Sequence, residues 1–146
     1  MKEYYGGCHC KAVSFRFQSE ESVEIWKCNC SICNLYDYEH LFIKHEAFSI
    51  SNGEDQISSY TFGTKNADHT FCKICGIKSF YQPRSHPDMY SVNLRCVKNP
   101  PKVKKVIHFD GINFEDSIQK IQSNFLVNLI TVKYNIGGNI IHGSCV

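Results

Sequence analysis

The chain has 146 residues, sixteen Lys and Arg against fourteen Asp and Glu for a formal charge of +2, and 42% apolar with 13% aromatic residues. That content suffices for one domain core, and the charge is too small to mark a nucleic-acid surface or a polybasic membrane anchor. No stretch approaches the roughly 20 apolar residues of a membrane-spanning helix; the nearest, residues 125–141, is broken by Asn128, Lys133 and Asn135.

Met1-Lys2-Glu3-Tyr4-Tyr5-Gly6-Gly7 lacks an apolar run followed by a small-residue cleavage site. An intracellular, reducing compartment, cytoplasm or nucleus, is therefore expected. Cys8-His9-Cys10 follows; on an extended strand its two cysteines share a face and His9 points away. Ala12 to Phe17 alternates apolar and polar residues in the period of a half-buried strand. Cys28-Asn29-Cys30-Ser31-Ile32-Cys33 then opens one or two helical turns over Ser31 to Tyr38. Ile57 to Phe62 reads as a further strand, after the turn signal Ser51-Asn52-Gly53-Glu54-Asp55.

In Cys72-Lys73-Ile74-Cys75-Gly76, two intervening residues and a glycine permit a tight knuckle. Lys78 to Tyr81, Met89 to Asn93 and Val103 to Phe109 read as strands, separated by Pro83-Arg84-Ser85-His86-Pro87-Asp88 and Asn99-Pro100-Pro101. Glu115 to Phe125 reads as a short helix. Beyond about Gln122 the sequence turns apolar and asparagine-rich, with Leu126 to Tyr134 as a candidate terminal strand. The reading is mainly β, short antiparallel strands with little helix, as a domain over residues 1–121 and an extension of unassigned role over 122–146.

Seven of the nine cysteines fall into the three clusters. In a reducing setting such spacings point to metal ligands rather than disulfides, and zinc takes thiolates and imidazoles tetrahedrally. Two pairs complete one closed structural site, assigned to Cys8, Cys10, Cys72 and Cys75. Cys28, Cys30 and Cys33 would bind a second ion and leave its fourth position open, as catalytic zinc sites do. Two alternatives stand beside this. One is a zinc ribbon of Cys30, Cys33, Cys72 and Cys75, leaving Cys8, Cys10 and Cys28 as an incomplete set. The other fills the fourth position with Cys96 or one of the seven histidines. His40, His45, His69, His86, His108 and His142 carry no ligand spacing and are expected in the core or on the surface, and Cys145 is expected as a free thiol.

Gly6-Gly7-Cys8-His9-Cys10-Lys11-Ala12-Val13, the middle cluster, and His69-Thr70-Phe71-Cys72-Lys73-Ile74-Cys75-Gly76 continuing to Ser79-Phe80-Tyr81-Gln82-Pro83-Arg84-Ser85 resemble the glutathione-dependent formaldehyde-activating enzyme family, in the branch of centromere protein V. The resemblance spans about Tyr5 to Glu115. It implies an Mss4-like β fold and two zinc ions, one structural on Cys8, Cys10, Cys72 and Cys75, the other on Cys28, Cys30 and Cys33. It also implies carbon–sulfur lyase chemistry, of the kind that joins glutathione to formaldehyde. Two places depart from the family pattern: Lys11 stands where glycine is usual, and Val97-Lys98 follows Cys96 where leucine and aspartate are frequent.

The expected function is thus a zinc-dependent carbon–sulfur lyase acting on a small, glutathione-like thiol and a carbonyl adduct. Arg84, Lys73, Lys78 and Asn93 are candidate carboxylate anchors, each weighed against a solvated surface role. No general base is named by the sequence. The alternative is a non-catalytic zinc module akin to centromere protein V, binding nucleic acid or cytoskeleton, although the only basic run, Pro101-Lys102-Val103-Lys104-Lys105, is short and alternates like a solvated strand face. A redox or metal-buffering use of the middle cluster ranks below both.

Overall fold

The structure, a computed structural model, describes residues 1–123. Met1–Ile112 form one compact unit, and a second begins at Asn113; in the latter, residues 114–123 are helical. The candidate strand over Leu126 to Tyr134, His142 and Cys145 lie outside the described residues.

The first unit is mainly β. Strand β1 (Lys2–Gly7) pairs antiparallel with β2 (Ser14–Ser19) from Lys2↔Ser19 to Gly7↔Ser14. The loop between them carries Cys8 and Cys10. Alternation in Ser-Phe-Arg-Phe-Gln-Ser turns Phe15 and Phe17 inward, each 1% exposed. Strand β5 (Phe48–Asn52) and the two-residue β10 (Val97–Lys98) complete a four-stranded sheet in the order β10-β1-β2-β5.

The second sheet has the order β11-β3-β4-β9-β8, formed by β3 (Ser22–Cys28), β4 (Glu39–Lys44), β8 (Phe80–Tyr81), β9 (Met89–Asn93) and β11 (Lys102–Phe109). Its β3–β11 pair is parallel, ending at Phe109↔Cys28, and departs from the expected all-antiparallel arrangement. The basic run becomes the edge strand β11, with Lys102, Lys104 and Lys105 exposed. A separate hairpin joins β6 (Ile57–Tyr60) to β7 (His69–Cys72) and presents the Cys72 knuckle.

Tyr4, Phe15 and Phe17 of the first sheet join Val23, Ile25, Leu41, Ile43 and Val92 of the second in one apolar core. Phe15 packs edge-on to Phe80 at 5.5 Å and stacks on Phe48 at 5.3 Å. Each such buried side chain contributes roughly 1.5–3 kcal/mol. This core positions the cysteine clusters at strand ends, where backbone geometry is free to leave the ladder.

Two expectations are corrected. Cys8 and Cys10 lie in the turn after β1 rather than on a strand, because Lys11 N–H donates to the Cys8 carbonyl (3.1 Å) and Cys8 N–H to the Val13 carbonyl (3.0 Å). The expected strand over Lys78 to Tyr81 shortens to Phe80–Tyr81, since the chain is still leaving the knuckle at Ile77, whose carbonyl accepts from Cys72 N–H (3.1 Å).

Candidate metal centres

The ligand sulfurs of Cys8, Cys10, Cys72 and Cys75 all lie within 4.8 Å of one another. Cys8 and Cys10 are separated by 3.5 Å and Cys10 and Cys72 by 3.7 Å. A tetrahedron with metal–sulfur bonds of about 2.3 Å has sulfur edges of about 3.8 Å, so the donor set suits one tetrahedral thiophilic ion. Backbone amides support it: Val13 N–H donates to Cys8 Sγ at 3.3 Å. The N–H groups of Cys10 and Ile77 hold the Cys75 thiol down to about 6. The knuckle closes through Gly76 N–H to the Cys72 carbonyl at 2.9 Å, with Gly76 at φ +72°, where glycine avoids a steric penalty. Across the centre, Lys11 adopts φ +64°, so the departure from glycine falls on a left-handed position.

The second group is Cys28, Cys30 and Cys33, whose sulfurs also lie within 4.8 Å of one another; no further His, Cys, Asp or Glu joins it among the described residues. Cys28 ends β3, and Cys30 is the N-cap of α1 (Ser31–Tyr36). Hydrogen bonds from Cys28 and Cys33, then the backbone N–H groups of Cys33 and Ile32, favour thiolate at Cys30 and pull its pKa far down. Cys33 moves up, because Cys28 and Cys30 hydrogen-bond to it and it is 4% exposed. Three sulfurs thus share hydrogen bonds at one point, where a divalent cation would replace the shared protons.

The turn after β11 closes over this group. Asn29 Oδ1 accepts from Gly111 N–H (2.7 Å) and Ile112 N–H (3.2 Å), while its Nδ2 donates to Asp110 Oδ1 (3.1 Å). A Cβ at Gly111 would stand 2.3 Å from Cys28 Sγ and 2.9 Å from Cys30 Cβ, so a side chain here forces the turn or a cysteine to shift. A cleft of about 320 Å³ opens beside the cluster, walled by Cys28, Cys33, Asn34, Tyr38 and His108. At its rim Asp37 bonds Lys27 (3.2 Å) and Arg95 (2.5 Å), and these cations lower its pKa, Lys27 first.

Behind the cluster lies a buried polar layer. Tyr38 and Tyr81 pack with Cys33. Lys78 is 2% exposed, with Nζ 3.7 Å from the Tyr81 ring centroid and 5.3 Å from that of Tyr38. It donates to His69 Nδ1 at 2.6 Å; burial pushes His69 down to about 4, keeping it neutral, and Lys78 down to about 8. His40, 3% exposed, meets Ser91 Oγ through Nδ1 at 2.9 Å, and burial lowers it to about 3. Its buried Nε2 has no hydrogen-bond partner among the described residues.

The two cysteine groupings are those expected first; the ribbon set of Cys30, Cys33, Cys72 and Cys75 is not brought together. Cys96 stays out of both groups and lines a separate cleft with Lys78 and Arg95. His9 is exposed and apart from its neighbours' sulfurs. Lys73 is exposed and donates to the Asp55 carbonyl (2.7 Å), Arg84 is partly buried, and Asn93, 7% exposed, accepts from Arg95 N–H (3.2 Å). Burial corrects the expectation of a solvated surface role for Asn93 and for Lys78. Sequence gives no spacing signal for Lys78, because its aromatic neighbours come from separate segments; likewise nothing marks His40 or Gly111, and His69 enters only as the first residue of the third motif.

The model of the family described as glutathione-dependent formaldehyde-activating enzyme matches residues 3–110. A crystal structure of a Rhodobacter sphaeroides protein is similar at 30% identity and a TM-score of 0.61, over 65% of this chain and 88% of that one.

Proposed function

The chain belongs to the glutathione-dependent formaldehyde-activating enzyme family, and we propose from that membership and its two cysteine groups that it is a zinc-dependent carbon–sulfur lyase working on the adduct of a small thiol and a carbonyl compound. Cys8, Cys10, Cys72 and Cys75 would hold a structural zinc, tying the β1–β2 loop to the β6–β7 hairpin. Cys28, Cys30 and Cys33 would hold the second. A zinc ion there supplies a Lewis acid that keeps a bound sulfur in its thiolate form at neutral pH.

The observation that carries this reading is the three-sulfur group with a cleft beside Cys28 and Cys33. The chain's own residues then do the positioning. Asn29 fixes the 110–112 turn, leaving glycine where the sulfurs need room. Hydrogen bonds from Cys28 and Cys33, then the α1 amides, favour thiolate at Cys30, and the buried rings of Tyr38 and Tyr81 exclude water from the rear. In adduct formation the thiol sulfur bonds to the carbonyl carbon and the carbonyl oxygen gains a proton; the lyase direction reverses both.

The test is zinc content together with thiol-plus-aldehyde turnover for wild type and Cys30→Ser. Two zinc ions and turnover in wild type, with one ion and no turnover in the variant, are expected. Two ions without turnover for any thiol and aldehyde tried would sink the lyase reading.

A further inference from the structure

Lys78 is a charged group left only 2% exposed beside the Cys96 cleft, and a buried ammonium is retained only where something offsets its lost hydration. Among the described residues, no carboxylate lies within ion-pair distance of it. Its hydrogen-bond partner, His69 Nδ1, is a neutral acceptor. The rings of Tyr36, Tyr38 and Tyr81, at 5.9, 5.3 and 3.7 Å, give the cation a partial substitute for water. Tyr38 and Tyr81 are also the rings that cluster with Cys33, with Cys28 and Cys30 packed against that cluster, so the two rings link the ammonium to the cysteine group.

Three thiolates around a divalent ion leave one net negative charge, and a fourth thiolate makes it two. In a dry setting that excess is costly unless a cation is built in nearby. A neutral fourth ligand would need no such partner.

We propose that Lys78 is a specificity-determining positioning residue: held against Tyr38, Tyr81 and His69, its ammonium compensates the Cys28–Cys30–Cys33 cluster and makes that site take a small thiol as an anionic sulfur in preference to a neutral ligand. This rests on the reading of the middle cluster as a metal–thiolate site. Lys78 acts through charge, and His69 aims it. Thiol binding here releases the thiol proton to solvent, with no oxidation and no other bond broken.

The test uses the cobalt-substituted full-length protein, whose sulfur-to-metal absorption reports the ligands. Wild type, Lys78→Met and Lys78→Gln are titrated separately with glutathione and with imidazole, after circular dichroism and metal counting show that each variant is folded and holds two ions. Both variants are expected to bind glutathione at least about tenfold more weakly, the effect of losing about one pKa unit's worth of favourable electrostatics. Their imidazole affinity should stay within about twofold of wild type. Equal glutathione affinity in the variants, or equal loss for both ligands, overturns the proposal. A wild type with no second ion, or one that takes up no glutathione, instead refutes the metal–thiolate reading itself.

Discussion

Replacing Gly111 with alanine tests the geometry of the second centre without touching a sulfur. The added Cβ would sit 2.3 Å from Cys28 Sγ and 2.9 Å from Cys30 Cβ, whereas carbon contacts settle near 3.5–4.0 Å. Turn or sulfur must therefore move by roughly 1.2 Å. Metal–sulfur distances tolerate about 0.2 Å, so relief through Cys28 breaks the site. Relief through the turn costs the Asn29 hydrogen bonds to Gly111 and Ile112. Overpacking of this kind costs about 1–3 kcal/mol, which for a domain of this size lowers the melting temperature by roughly 4–12 °C. Zinc released by a chelator and a thermal melt are the assays. Gly111→Ala should hold one zinc ion instead of two and melt lower. A variant with two ions and a melting temperature within about 1 °C of wild type would refute the reasoning.

Cys72→Ser should lose the other ion and most of the fold's stability, because the site joins elements far apart in sequence; circular dichroism with zinc counting checks it. Lys11→Gly should raise stability by about 1 kcal/mol in urea unfolding, since it removes a side chain from φ +64°. His40 and His69 have folded pKa values of about 3 and about 4, below the unfolded value near 6.5. The unfolded state therefore binds more protons below that value, and stability is present above about pH 6.5 and lost as pH falls toward 4, by up to about 1.4 kcal/mol per unit for each histidine. Urea unfolding at a series of pH values should show a shallower slope for His40→Gln with His69→Gln than for wild type.

What sequence reveals here depends on whether the signal is local. Strand β9 (Met89–Asn93) and the start of α1 at Ser31 follow from nearby residues. Both cysteine groupings follow from spacing, although the Cys8 pair owes its convergence to a turn rather than to a strand face. Strand β1, Lys-Glu-Tyr-Tyr-Gly-Gly, has only Tyr4 fully inward and shows no clean alternation, so pairing with β2 creates it. The parallel β3–β11 pair joins segments some eighty residues apart, and no local pattern encodes it. Lys78 is the sharpest case: a lysine is ordinarily solvated, and only the convergence of Tyr36, Tyr38, His69 and Tyr81 makes a buried place for it.

The protein is expected to carry an unequal pair of centres, one closed by four cysteines and one left with three. A crystal structure at high resolution of protein carrying two zinc ions per chain tests it most directly. Four sulfurs are expected around the ion at Cys8, Cys10, Cys72 and Cys75. Three protein sulfurs are expected around the ion at Cys28, Cys30 and Cys33, with the remaining position facing the cleft beside Tyr38 and His108. A fourth protein ligand on the second ion, or a single ion shared between the clusters, would contradict it.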